Sequence, residues 1–170
     1  MINGFNKIKP ETFEGNAIQL IGHDWFLITA GSETSFNTMT AAWGGLGYLW
    51  NKPVAYIFIR PQRYTYEFAE REDCFTIQFF EKKHRDILKF CGSHSGRDVD
   101  KVEHTGLKFF TSENGSVYFE QARLQMECRL LYSDDIRPDR FADDQLLKNY
   151  PKNDFHRMYI GEIVECLQKV

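Results

Sequence analysis

Arg60 and Arg63 stand three residues apart in the run IRPQRYT, at the end of an apolar stretch, VAYIFI. Gln62, Tyr64 and Thr65 fill the spaces between and after them, and Pro61 stiffens the turn. Every one of these polar side chains can donate a hydrogen bond, and the two guanidiniums can do so bidentately, the geometry an oxyanion such as phosphate needs. A strand that runs into a turn and then a helix adds the unpaired N–H groups of the first helical turn. Each charge-assisted bond is worth roughly 1.5–3 kcal/mol. The alternative use of the same arginines is pairing with surface carboxylates.

Three other stretches carry chemistry-bearing residues. In residues 37–47, NTMTAAWGGLG, Asn37, Thr40 and Trp43 stand among small side chains. Small residues let a backbone approach a flat ligand closely and also suit a tight β-turn or barrel corner. Residues 91–101, CGSHSGRDVDK, hold the donors Ser93, Ser95, Arg97 and Lys101, and read either as a ligand-closing loop or as a solvated connection. Near the end, NDFHRMYIGEI places His156 and Arg157 just before a strand. His156 is either structural or a proton-bearing group at a site. Metal chemistry is not indicated: Cys91 and His94 are three apart, but no second close pair accompanies them, and His84 stands alone. Asp134–Asp135 and Asp143–Asp144 are adjacent and point apart on a strand or helix, so they do not form an acid–base couple. No GxGxxG, GxxxxGK[ST] or GxSxG pattern occurs.

These residues need elements to hold them. Residues 25–30, WFLITA, have strand length, and 53–60 are apolar on both faces, as in a central strand or barrel stave. Phe75, Ile77 and Phe79 alternate in FTIQF. In RLQMECRL, Leu124, Met126, Cys128 and Leu130 are expected inward, and Arg123, Gln125, Glu127 and Arg129 outward. A last strand covers 157–166, with Gly161 marking a bulge or close approach. Helices are expected over 66–72, capped by Thr65, over 82–91, over 98–105 and over 143–150, the last stopped before Pro151. Strands with short helices inserted predict a mainly β fold, an antiparallel barrel.

A chain of 170 residues with 42% apolar content suits a single domain with a real core. Aromatics make up 15%, which favours β-rich packing or a flat stacking ligand. A net charge of −3 gives no overall pull toward nucleic acid or anionic membrane. No apolar run approaches membrane-spanning length, and the four scattered cysteines read as free thiols, Cys74 and Cys128 buried in strands. A cytoplasmic protein without nucleic-acid or membrane partners is expected.

The order N-x-M-T-A-A-W, then R-P-x-R-Y-T, then S-G-R-D, then H-R-x-Y-I-G-E-I resembles the flavin reductase-like family of FMN-binding split β-barrels, from about residue 24 to 165. The resemblance implies one domain over 1–170 that binds FMN at a homodimer interface. By position, Arg60, Gln62, Arg63, Tyr64 and Thr65 would hold the phosphate. Asn37, Met39, Thr40, Ala41, Ala42 and Trp43 would line the ring and ribityl chain. Ser95, Gly96, Arg97 and Lys101 would close over the flavin. His156 would orient a nicotinamide or supply a proton, and Arg157 would reach a phosphate of that cofactor or a carboxylate. The implied activity is that of an oxidoreductase passing a hydride from NAD(P)H to flavin. Where better-known two-component reductases carry polar residues after the M-T pair, this chain has Ala-Ala-Trp-Gly-Gly, and Trp43 narrows the space over the ring. That departure leaves open a flavoredoxin-like electron carrier served by a protein donor. A flavin-free barrel binding another anion is also compatible with the two arginines.

Overall fold

Val54, Ala55, Ile57 and Ile59 are all buried because the strand that carries them, β5 (Lys52–Ile59), has a neighbour on each side. The computed structural model describes residues 3–170. Its main sheet contains β1 (Phe5–Lys7), β2 (Phe26–Ser32), β3 (Ser35–Ala41), β4 (Gly44–Leu49), β5, β6 (Cys74–Phe80), β9 (Ala122–Asp135) and β10 (Arg157–Lys169). The order is β3-β2-β6-β9-β10-β5-β4, with β1 on the far part of β10, and every pairing is antiparallel. A separate hairpin, β7 (Phe109–Thr111) and β8 (Val117–Phe119), lies beside it. This is the mainly β, antiparallel architecture expected.

The two edge strands, β3 and β4, are consecutive in the chain with only Ala42 and Trp43 between them. A link that short spans at most about 10 Å. The sheet must therefore roll until its opposite edges meet, and the chain, not a ladder of hydrogen bonds, closes the barrel. Residues 41–43 sit at the resulting seam. Glycines in β4 are there for packing: a Cβ on Gly44 would stand 2.7 Å from the Tyr56 carbonyl oxygen, and one on Gly45 3.3 Å from the Tyr56 ring. The Gly-rich half of residues 37–47 thus serves a neighbouring aromatic within the sheet, and the run as a whole is two strand segments where a turn or barrel corner had been an alternative.

Other differences from the expected elements have local causes. Leu124, Met126 and Cys128 face the core as alternation requires, but Gln125 and Glu127 are buried too. The β7–β8 hairpin covers their face: Phe119 N–H donates to Gln125 Oε1 at 2.9 Å, and Ser116 Oγ donates to Glu127 Oε1 at 2.9 Å. The first helix, α1 (Tyr64–Ala69), starts earlier than expected, and Thr65 lies inside it and does not cap it. Helix α2 (Arg85–Ser93) follows a single 3-10 turn and sets Leu88 and Cys91 against Leu27 and Phe80. Burying Leu88 alone is worth about 1.5–3 kcal/mol. Helix α3 (Lys101–Thr105) begins at Asp100, whose carboxylate accepts from Glu103 N–H at 3.0 Å, and ends at Gly106 with φ 68°. Residues 144–149 form a 3-10 helix before Tyr150. A register shift between Ile160 and Gly161 places the expected irregularity. Cys91, Cys128 and Cys166 are buried and Cys74 is half-buried. Among the described residues, no helix is long and apolar enough to cross a membrane.

Candidate functional site

Arg60 and Arg63 leave the end of β5 with different fates. Arg60 Nη1 meets Asp154 Oδ2 at 2.5 Å, and its Nη2 donates to the Asn149 carbonyl at 2.9 Å. Gln62 Nε2 donates to the same Asp154 oxygen at 2.6 Å. For Arg60 the carboxylate alternative is the one realised. Arg63 donates Nη1 to the Gly92 carbonyl at 3.0 Å and has no carboxylate partner among the described residues. Burial, reinforced by the charge of Arg60, lowers its pKa.

Lys101 is the second cation without an acid. It is 6% exposed, and its ammonium donates to the carbonyls of Thr38 at 2.7 Å and Cys91 at 2.9 Å. Burial pushes its pKa down to about 8; the Cys91 thiol opposes that fall and the nearby Arg63 charge adds to it. Arg63 and Lys101 border one cavity of about 250 Å³, together with Asn37, Gln62, Tyr64, Thr65, Ser93, His94 and Ser95. Two desolvated cations around one space are costly unless an anion occupies it.

A second cavity of about 230 Å³ shares Met39 and Arg63 with the first and continues along Thr40, Ala41, Ala42, Trp43, Phe58, Arg60 and His156. It lies at the barrel seam. The Trp43 ring centroid is 5.2 Å from that of His156, tilted by 53°. His156 is 8% exposed, and Nδ1 is 2.9 Å from the Tyr150 hydroxyl. Burial first, then the charges of Arg60 and Arg63, against the pull of Asp154, bring its pKa down to about 4, so the ring is neutral at pH 7. A larger cavity, about 570 Å³, lies along Glu33–Thr38 and Gly96–Val102. Three carboxylates, Glu33, Asp98 and Asp100, border it, whereas none borders the two smaller cavities, so charge and not size distinguishes the smaller pair.

The residues singled out in the sequence divide accordingly. Asn37, Met39 to Trp43, Arg60, Gln62 to Thr65, Ser95, Lys101 and His156 border the two joined cavities. Several have donors already committed: the Thr40 hydroxyl to the Leu88 carbonyl at 2.5 Å, and Asn37 Nδ2 to Thr65 Oγ1 at 2.7 Å. Gly96 and Arg97 border the outer cavity; Arg97 lies over the Tyr64 ring at 4.7 Å and pairs with Glu67. Arg157 borders none of these cavities. Asp135 holds it at 2.7 Å and Glu70 at 2.5 Å, which corrects the expectation of a ligand contact. Ser93, noted in sequence as a loop donor, borders the first cavity, whereas Phe58, His94, Tyr150 and Asp154 were not singled out for this site. Tyr150 and Asp154 border neither cavity and act on it only through His156, Arg60 and Gln62, from a loop whose composition carries no signal of that.

The family model described as "Flavin reductase like domain" matches residues 19–169. The chain belongs to the flavin reductase-like family. No curated protein matches it. Among solved structures, this flavin reductase-like chain is similar to an FMN-binding domain of a flavin reductases-like enzyme from Shewanella baltica, with TM-score 0.70, 19% identity and coverage of 97% of this chain and 77% of that one. It is similar to a flavoredoxin from Methanosarcina acetivorans, with TM-score 0.67, 19% identity and coverage of 96% and 75%. An NADH:FAD oxidoreductase from Streptomyces globisporus, in complex with NAD and FAD fragments, aligns with TM-score 0.63, 15% identity and coverage of 85% and 74%. At these identities the likeness establishes the fold, a flavin reductase-like split barrel.

Proposed function

We propose that residues 1–170 form a single FMN-binding domain, that it acts as an oxidoreductase of flavin reductase type, and that it works as a homodimer. The observation that carries the reading is the pair of cations, half-buried Arg63 and buried Lys101, that border one cavity without a carboxylate. A phosphate monoester dianion suits that pair, with Tyr64, Ser93 and Ser95 as neutral partners. The adjoining cavity, walled by Thr40 to Trp43, Phe58 and His156, suits the flat part of the same molecule. When bound, the flavin supplies the capacity to take a hydride from NAD(P)H and pass electrons on. The chain's part is to bind and orient it and to keep a neutral imidazole beside it. The homodimer belongs to this reading because a second subunit would cover the part of a flat ligand that one subunit leaves exposed.

Trp43 favours a second reading. Its ring stands against His156 and narrows the space in which a nicotinamide would stack. In that case the protein is an FMN electron carrier served by a protein donor. The deciding experiment loads the protein with FMN, removes free flavin by desalting and mixes the product anaerobically with NADH and with NADPH. Bleaching of the flavin band within seconds, in a sample with the mass of a dimer, is the expected result. Bleaching only by a low-potential donor selects the carrier, and colourless protein that also fails to support flavin-dependent NADH oxidation removes both readings.

Lys101 makes the binding pH-dependent in a stated direction. A bound phosphate raises its pKa above the value of about 8 in the free protein, so binding takes up a proton. FMN affinity is expected to fall as pH rises from about 8 to about 9.5, by up to ~10-fold per pH unit. Fluorescence titrations of FMN across that range check the slope, and Lys101→Met flattens it. A wild-type affinity independent of pH there would remove Lys101 from the anion site.

A further inference from the structure

His156 offers the seam cavity one nitrogen, and what that nitrogen carries is decided outside the cavity. Nδ1 is engaged by the Tyr150 hydroxyl at 2.9 Å, and both residues are buried. Tyr150 borders neither joined cavity. Nε2 has no partner among the described residues, yet it is not among their buried polar atoms left without one, so it reaches open space. The open space that the ring borders is the seam cavity.

The direction of the Tyr150–His156 bond follows from counting protons. The phenol has one proton, burial keeps it on the oxygen, and the hydroxyl has no other acceptor among the described residues. If Nδ1–H donated to the hydroxyl, the phenol's own proton would be stranded in a buried place, at a cost of about 1–3 kcal/mol. If the phenol donates, one bond satisfies both groups. We infer that Tyr150 is a positioning residue that donates to His156 Nδ1 and so holds the imidazole as the Nε2–H tautomer, a neutral donor offered to a carbonyl or carboxamide oxygen of a molecule in the seam cavity. The class of that ligand group rests on the function proposed above; the tautomer does not.

Arg60 makes the arrangement rigid. Its guanidinium lies 5.0 Å from the centroid of the Tyr150 ring, and the same group binds Asn149 and Asp154 on either side in sequence. Phe155 stacks on Tyr150 at 4.6 Å. The sequence marks Arg60 as an anion ligand, whereas its contacts make it the clamp that aims Tyr150 at the histidine.

The test is a long-range ¹⁵N–¹H correlation spectrum of the FMN-loaded protein with ¹⁵N-labelled histidine, His156→Gln supplying the assignment. The expected wild-type spectrum shows the proton on Nε2 and an unprotonated, hydrogen-bonded Nδ1. Tyr150→Phe keeps the ring over Arg60 but removes the donor, and the proton then distributes between the two nitrogens, with KM for the reductant raised about 10-fold. A wild-type ring protonated on Nδ1, or a wild-type mixture, overturns the inference, as do unchanged imidazole shifts in Tyr150→Phe. Should that variant not fold, the wild-type spectrum alone decides. Should the protein neither retain FMN nor support flavin-dependent NADH oxidation, the function proposed above fails, and the spectrum of the flavin-free protein still settles the tautomer.

Discussion

Arg63→Ala lowers the affinity for FMN by about 10- to 100-fold, while Arg129→Ala changes it by less than about twofold. The contrast rests on what each arginine already holds. Arg129 lies on an exposed strand face, pairs with Glu162, and shares that acid with Lys52. Its loss removes a surface pair worth about 0–1 kcal/mol and nothing near the cavities. Arg63 spends one donor on the Gly92 carbonyl and has no acid to neutralise it among the described residues. The rest of its fork belongs to whatever fills the cavity it borders. Dissociation constants from FMN fluorescence quenching measure both variants, and circular dichroism shows whether each is folded. Equal effects would disprove the assignment of the 60–65 turn to the phosphate. Arg60→Ala is informative beside them, because its guanidinium is committed to Asp154 and Asn149 and its removal frees a loop as well as a charge.

The largest effect on stability is expected at Gly161. A Cβ there would stand 2.7 Å from both Cε1 and Cζ of Phe75 and 2.8 Å from the Cβ of Cys128. Neither neighbour can retreat, since Phe75 and Cys128 are in the core and sit on strands paired to each other. Gly161→Ala therefore overpacks a filled interior, at a cost of about 3 kcal/mol. For a domain of this size that lowers Tm by roughly 10 °C. Gly22→Ala is the control: nothing lies within 4 Å of its added Cβ, so its effect stays within about 0.5 kcal/mol or is slightly stabilising. Thermal unfolding of the two variants against wild type is sufficient, and Phe75→Leu in the Gly161→Ala background recovers part of the loss. A Gly161→Ala protein that melts with the wild type would show that the Phe75 ring has room the packing denies it.

These two positions also show what the sequence could and could not reveal. Gly161 interrupts an otherwise apolar, alternating run, so a close approach was legible even without knowing that Phe75 supplies it. Arg60 and Arg63 look alike in sequence. They differ because Asp154, ninety-four positions from Arg60, reaches back to one of them and not to the other. No local pattern encodes that choice. Gln125 and Glu127 were read as solvent-facing because alternation describes one covering layer, and the second layer is a hairpin of two three-residue strands, too short to leave a periodic trace. Strand β3 was hidden for a different reason: Ser35, Asn37, Thr38 and Thr40 are polar, and three of the four spend hydrogen bonds inside the protein where apolar contact would be expected. Arg157 stands next to His156 in the chain, yet adjacent residues at a strand start face apart, and Glu70 and Asp135 take it. The family's fold was legible from the order of four short motifs; the division of labour among their side chains was not.

The sheet order has one further consequence, and it concerns when the site comes into being. One wall of the seam cavity belongs to the block β3-β2-β6-β9 and the other to the hairpin β5-β4. Within the sheet only β10 joins the two, pairing with β9 along one side and β5 along the other. During synthesis on the ribosome, a nascent chain that has reached residue 150 carries both strand walls, tethered at the seam by Ala42 and Trp43, but lacks the strand that pairs with both halves and the His156 side chain. The cleft is thus complete only once the segment from His156 to Lys169 has been made, since it supplies both the strand between the two halves and the imidazole of the site.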